Sequence, residues 1–472
     1  MNKALLAFSF LFISTATLAQ RFSHYNTGTL YESFENPSQG VFIADTTRTI
    51  AFNFLVPNLN TFGYLKGNAQ TTLKSRAFTG RYNNDALQIG QARPNNILVN
   101  ANVYLAMIRI LSNQNGDQEL GASIQTKGNG RGNLTDETFA FFNGSQAFAP
   151  GTRYDNIFNG SAYYESYHQF SLTYREKATR NLSLGIKLSA LLGIAYNKIT
   201  VDGSTLTFDP TADNATWYMH GSYLSSFEPG QFGRKDLFSF KNPGASVSLG
   251  ATYKTDDNFT IQGNIKDLGF IRWSDNFRAS YFGNATTVEG LRTGSREKNV
   301  INALSRLVEK APIRYANYIP IEGRAEISVS KKFTGSVISY TPTAIVAKAL
   351  YHGGSTAALV NHIQYSNFIL TATGIYDYNH VLSLGGQLMF KAPNVEFYVG
   401  SEQLSQSANM LSANNKNQSA IEKNMPYSGT SVFLGFSVKF GRMFERWRNT
   451  SYIPTGGEPG PLGRFWTRLF DR

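Results

Sequence analysis

The sequence predicts an all-β transmembrane barrel of about fourteen antiparallel strands, between about twelve and sixteen, with short helices in its loops. Three observations predict it. Segments of about ten residues alternate apolar and polar with a period of two, the pattern of a strand with one face in lipid. The connections between them sort into short turns and long loops, which outer-membrane barrels place on opposite edges. The composition has 35 Phe, 25 Tyr and 42 Gly with only 16% charged residues, against roughly 25% in soluble domains.

At the start of the chain, Lys3 precedes the apolar run Ala4–Ile13 and the small residues ending in Thr17-Leu18-Ala19. This reads as a signal peptide over residues 1–19, cut between Ala19 and Gln20. The run is shorter than the ~20 residues a spanning helix needs. The sequence contains no cysteine, which excludes a lipid anchor on cysteine, disulfides, thiolate metal sites and a cysteine nucleophile. The net charge is +12, without a run of five Lys or Arg. In an exported chain that charge points to anionic lipid head groups or an acidic partner, and not to nucleic acid.

The clearest strand runs from Leu182 to Asn197. Leu182, Leu184, Ile186, Leu188, Ala190, Leu192, Ile194 and Tyr196 share one face, with Ser183, Gly185, Lys187 and Ser189 on the other. A hairpin follows, with Val247, Leu249, Ala251 and Tyr253 before the turn Thr255–Asn258 and Phe259, Ile261 and Ile265 after it. Further short turns are read at Glu176–Asn181, Ser330–Gly335, Tyr376–His380 and Ala392–Asn394, and long loops at Gly128–Asn159, Asp275–Pro312 and Gln403–Ser428. Helices are expected within two of these loops, over Leu134–Phe142 and Glu297–Lys310, the second from the spacing of Val300, Leu304, Leu307 and Val308. In the last strand, Val432–Phe440, the pattern Gly435-x-x-Val438-x-Phe440 resembles the signal read by the barrel-assembly machinery, with Phe433 at a position usually polar. The expected organisation is a signal peptide over 1–19, an N-terminal segment over 20–47 that can serve as a lumen hatch, a barrel over 48–441, and a periplasmic tail over 442–472.

No catalytic constellation emerges, and the chain reads as non-catalytic, without cofactor or metal. The six histidines have no metal-ligand spacing. His168 and Ser171 lie three apart on one strand and so face opposite ways. Gly128-x-Gly130-x-Gly132 lacks a βαβ context and reads as a flexible loop. Tyr163, Tyr164, Tyr167, Trp217, Tyr218, Trp273, Tyr281, Phe282, Tyr340, Tyr376 and Tyr378 fall near strand ends and suit interfacial girdles. In the tail, Arg446 beside Trp447 and Arg464 near Trp466 are candidate contacts to membrane or to a periplasmic envelope protein.

Asn242-Pro243-Gly244, the hairpin after it and Asp267-Leu268-Gly269-Phe270-Ile271-Arg272-Trp273 form a long, unusual string. With Glu35-Asn36-Pro37 and Phe141-Phe142-Asn143-Gly144, it resembles an outer-membrane barrel family of Bacteroidota known only as a domain of unknown function. More distantly, the Asn-Pro near the N-terminus is similar to the long-chain fatty-acid transporter group, where Ser38 has alanine as its usual counterpart. That resemblance implies an N-terminal hatch inside a fourteen-stranded barrel of the outer membrane. Counting in twos from Phe259, Ile261 and Ile265 puts Asp267 on the lipid phase, where a carboxylate is unfavourable. A bulge near Gly269 is therefore expected, or a strand leaving the bilayer, with Asp267 a rim feature within reach of Arg272. Two functions remain open. One is a barrel that passes or binds a small hydrophobic molecule. The other is a structural barrel that docks envelope proteins through its tail and loops.

Overall fold

The computed structural model describes residues 22–39 and 460–470, together with 47–444 apart from 54–55, 113–115, 210–212, 229–232, 234–235, 310–311, 352 and 416. Ala19 and Gln20, the expected cleavage site, and Arg446 and Trp447, two of the expected tail contacts, lie outside the described residues.

Fourteen antiparallel strands close into a barrel. The first is interrupted, β1 (Thr47–Phe52) continuing as β2 (Asn58–Lys66). The wall continues through β3 (Pro94–Leu111), β4 (Gln118–Thr135), β5 (Gly160–Lys177) and β6 (Leu182–Phe208). Another strand, β7 (Asn214–Ser225), leaves the wall, which resumes with β8 (Pro243–Lys254) and β9 (Phe259–Trp273). After β10 (Arg278–Glu289), which pairs with β7, the wall runs through β11 (Asn317–Pro320) and β12 (Arg324–Lys331), two halves of one strand against β9. Next come β13 (Ile338–Ala349), β14 (Ser355–Tyr365), β15 (Phe368–Asp377), β16 (Leu382–Lys391) and β17 (Val395–Ser401). The last, β18 (Ser428–Phe444), pairs with β17 and with β1 and β2, so the ring has no open edge. In a bilayer only such closure satisfies every strand's backbone groups.

The wall is inverted relative to a soluble protein. Large apolar side chains such as Leu172 (68% exposed), Leu188, Ile327 and Leu384 point outward, whereas Ser183, Lys187, Ser248, Gln262, Thr371 and Gln387 are buried in the lumen. Turns after β3, β5, β8, β12, β14 and β16 lie on one edge, the short-turn edge. The turn at Tyr376–His380 falls instead on the long-loop edge, between β15 and β16, because strand direction alternates around the ring. Gly128, Gly130 and Gly132, read from the sequence as a loop, lie within β4 and pair with Ala101, Val99 and Ile97. Their small size leaves room on that face without ending the strand.

Where β1 gives way to β2 the ladder is interrupted, and two asparagines replace it. The Asn53 side chain donates to the Tyr104 carbonyl at 3.3 Å and accepts from the Met107 N–H at 2.5 Å, while Asn58 accepts from the Phe436 N–H at 3.2 Å. At 27 residues, β6 outruns its neighbours. Its lower half pairs with β8 and its upper half, Asn197–Phe208, with β7. Together β6, β7 and β10 form an upper tier beyond the wall. One face is covered by α4 (Arg296–Val308) and α3 (Asp136–Phe142) around Phe141, Phe148, Phe158, Phe208, Trp217 and Phe282. Trp217 and Phe282 are thus core residues and not girdle rings, as are Tyr167 and Trp273 at the rim. Other helices of the chain are α1 (Leu30–Glu35), α2 (Ala69–Thr79), α5 (Leu404–Asn414), α6 (Gln418–Glu422) and α7 (Pro461–Phe470).

The inverted wall makes a testable prediction. In a soluble fold, Leu172→Arg at an exposed site is near neutral. Here it should cost about 2–4 kcal/mol near the midplane, read as a lowered urea midpoint for unfolding from liposomes. An unchanged midpoint would mean that this face meets water.

Candidate functional site

Inside the ring lies the segment 22–39. It is buried almost throughout, and its contacts come from strands around the circumference. Its centre is α1, which at six residues leaves most of its backbone groups without partners along the helix. Thr29 caps it, accepting from the Glu32 N–H at 3.2 Å. The Glu32 carboxylate reaches back to the N–H groups of Asn26 (2.6 Å), Thr27 (2.9 Å) and Gly28 (2.7 Å), a variant of the capping box. Burial raises the Glu32 carboxyl to about 7, against the pull of those N–H bonds.

The wall satisfies the remaining groups by sign. Carboxylates meet N–H groups: Glu402 accepts from Phe22 at 2.9 Å and Glu396 from Leu30 at 2.6 Å. Donors meet carbonyls: Lys391 donates to Thr27 at 2.8 Å and Lys187 to Phe34 at 3.2 Å, with Arg175 on Ser33 and a His362 ring nitrogen 2.7 Å from the Tyr25 carbonyl. Glu396 is held in turn by Lys439 at 2.8 Å. Apolar contacts complete the seat, Leu30, Tyr31 and Phe34 packing on Tyr104, Met107, Met389, Tyr398 and Phe433. Phe433 is buried on the lumen side, where the His24 ring meets it edge-on and the Tyr398 ring lies tilted against it.

Asp267 is central to the charges around this segment. Between Ile265 and Leu268 the pairing of β9 with β8 slips, so Lys266 and Asp267 both stand opposite Ser248. Asp267 adopts φ 52°, in the left-handed region. The bulge sits two residues before Gly269 and turns Asp267 away from lipid into the lumen. There it meets Lys127 at 2.6 Å, Lys187 at 3.5 Å and the Gln169 amide at 2.9 Å. Asp267 is therefore no rim residue, and Arg272 does not pair with it. Arg272 lies outside the lumen cluster, 3.7 Å from Asp275. Leu268 and Phe270 face outward, Gly269 lies against Ala245 and Ser246, and Trp273 packs into the space left by Gly193. Beside Asp267, Lys266 bonds Glu326 at 2.6 Å and lies under the Tyr25 ring, whose hydroxyl donates to the same carboxylate.

Glu35, at the end of α1, accepts from Asn102 at 2.8 Å and the Tyr104 hydroxyl at 2.7 Å. Burial alone would raise its carboxyl, but Lys127, Lys187 and Lys266 together hold it down to about 2. A polar cavity of about 80 Å³ remains here, bounded by His24, Tyr31, Glu35, Lys127, Asp267 and Arg324. It has room and polar partners for ordered water.

Other residues singled out from the sequence lie elsewhere. Gly435 faces the lumen, where a Cβ would run into the Tyr398 ring, and Val438 and Phe440 face lipid. Arg464 is exposed and Trp466 half-buried on α7, whose Gly463 N–H meets Glu176 at the short-turn edge of the barrel. Lys187 was read from the sequence on the polar face of its strand, and Lys266 likewise, but the lumen charges Lys127, Glu326 and Glu396 went unnoticed. Their signal was a charge on the polar phase of a wall strand, repeated on strand after strand. Among the described residues no group of three His, Asp or Glu is placed to hold a metal.

The depressed Glu35 carboxyl sets a pH window. Its contribution to seating the segment is complete above its ordinary value of 4.5 and is lost as pH falls through about 2. Hydrogen-exchange protection of the 22–39 amides, corrected for intrinsic rate, should fall across that window. Glu35→Gln should lower protection at neutral pH and flatten this step; a step of unchanged size in Glu35→Gln would remove Glu35 from the account.

Solved structures with similar architecture include the toluene transporter TodX of P. putida, with 9% identity over 91% of this chain and 97% of that one, at a TM-score of 0.41. The Ralstonia pickettii toluene transporter TbuX has 10% identity over 88% and 94%, at 0.41. A Pseudomonas aeruginosa FadL homologue has 10% identity over 92% and 100%, at 0.40. No curated protein sequence matches the chain. The sequence profile of DUF5723, a family of unknown function, matches residues 49–444. That match spans nearly the whole wall, from β1 to the end of β18, and the chain therefore belongs to this family.

Proposed function

We propose that this outer-membrane barrel is a non-catalytic passage for a small molecule, closed at rest by residues 22–39. One observation carries the reading: the lumen is filled by a separate segment of the chain, seated largely by polar and ionic contacts. Such contacts can exchange for water, as a gate requires. The cargo this reading favours is small and apolar or amphipathic. In support, Tyr167 belongs both to the apolar rim cluster with Tyr196, Trp273 and Phe277 and to the boundary of the polar cavity.

A second reading rests on α7. Its Gly463 engages Glu176 at the short-turn edge while Arg464 and Phe465 stay exposed, a surface on which an envelope protein can dock. Reconstitution separates the two. Liposomes carrying the full-length barrel should be tight to sugar-sized solutes, and deletion of residues 22–39 should make them permeable. If the deletion variant folds and stays tight, the passage reading fails and the docking reading takes its place.

A further inference from the structure

The connection from β7 to β8 does not stay above the wall. His168 on β5 shares a face with Phe170 and Leu172, both exposed toward lipid, whereas Gln169, Ser171 and Thr173 face the lumen. Its partner in β4, Thr126, shares the outward face with Ile124. An imidazole on this face would be unfavourable in lipid, yet His168 is only 7% exposed. The connection covers it. Nε2 lies 2.8 Å from the Leu237 carbonyl, to which it donates, and Nδ1 shares a hydrogen bond with the Thr126 hydroxyl at 2.9 Å. The Phe238 ring stacks on the imidazole, 5.0 Å between centroids and 9° from parallel. Asn242 fixes the far end of the segment, bonding Gly193 through backbone and side chain and accepting from the Ser274 N–H.

Laid on the outside of the wall, this segment turns its own apolar groups outward. Phe240 is 80% exposed and Phe238 71%, with Leu237 also exposed. Lys241 follows directly. Three neighbouring apolar side chains at the outer surface, then a cation, match the change from acyl chain to head-group phosphate. The height agrees. His168 pairs with Leu192 of β6, which pairs with Pro243 at the upper end of β8.

We propose that Leu237–Phe240 is a membrane anchor. It is a loop laid over the barrel's outer face, with its rings among the acyl chains of the outer leaflet just below the head groups. Continuity with the lipid-facing wall favours lipid over a protein partner as occupant. The anchor lets β5 carry a histidine on its lipid phase and ties the upper tier to the bilayer.

Because the native sequence has no cysteine, single spin labels can report the surroundings directly. Phe240→Cys, labelled with a nitroxide in phosphatidylethanolamine–phosphatidylglycerol liposomes, should collide often with oxygen and rarely with an aqueous nickel chelate. References are Leu172→Cys on the wall and Tyr281→Cys on the upper tier. The Phe240 site should behave like Leu172. Behaviour like Tyr281 would place the loop in water and overturn the proposal. Suppressed collisions with both reagents would mean a protein or second copy covers it, which also overturns it. Leu237→Cys reads the same boundary should the first variant fail to fold.

Discussion

The wall and the segment inside it depend on a single constraint: in a closed barrel, inward polar groups must find partners within the lumen. Fourteen strands make a ring too wide for side chains alone to fill. The short helix Leu30–Glu35, with its unpaired N–H and carbonyl groups, supplies what the wall lacks. Glu396 accepts from its Leu30 N–H, and Arg175 and Lys187 donate to its Ser33 and Phe34 carbonyls, while Glu402 and Lys391 do the same for Phe22 and Thr27 just before it. Each half removes a desolvation penalty from the other.

Departures from ideal strand geometry serve the same end. The bulge at Lys266–Asp267 moves a carboxylate from the lipid phase to the lumen, where Lys127 and Lys187 wait for it. At the break between Phe52 and Asn58, two asparagines take over bonds that the backbone cannot make. Gly193 and Gly435 make room for Trp273 and Tyr398, so large rings settle close to the wall.

Much of the wall could be read in the sequence because lipid imposes a two-residue period that no loop imitates for long. Leu182–Ala190, the 247–265 hairpin and Val432–Phe440 each carry it. The irregularity at Asp267 was also readable, since a charge on the lipid phase demands a change of register. Its destination was not. Which charges meet across a lumen depends on ring order and stagger, and Lys127, Lys187 and Asp267 stand far apart in the chain. The upper tier escaped notice for a different reason. Asn214–Ser225 and Arg278–Glu289 alternate like wall strands, but Trp217 and Phe282 point into a core above the membrane. By local pattern alone they resemble the rings of a girdle.

The position of the filling segment at the start of the chain bears on how the molecule is made. Its partners arrive late: Phe22 bonds Glu402, 380 residues on, and Leu30 bonds Glu396, 366 residues on. Until β17 and β18 reach β1 and β2, no enclosed space exists for the segment to enter. The segment is thus synthesised before the strands that enclose it and seated only after them. Contacts of such long range form slowly, and until they do Leu30, Tyr31 and Phe34 lack the packing that the closed wall gives them.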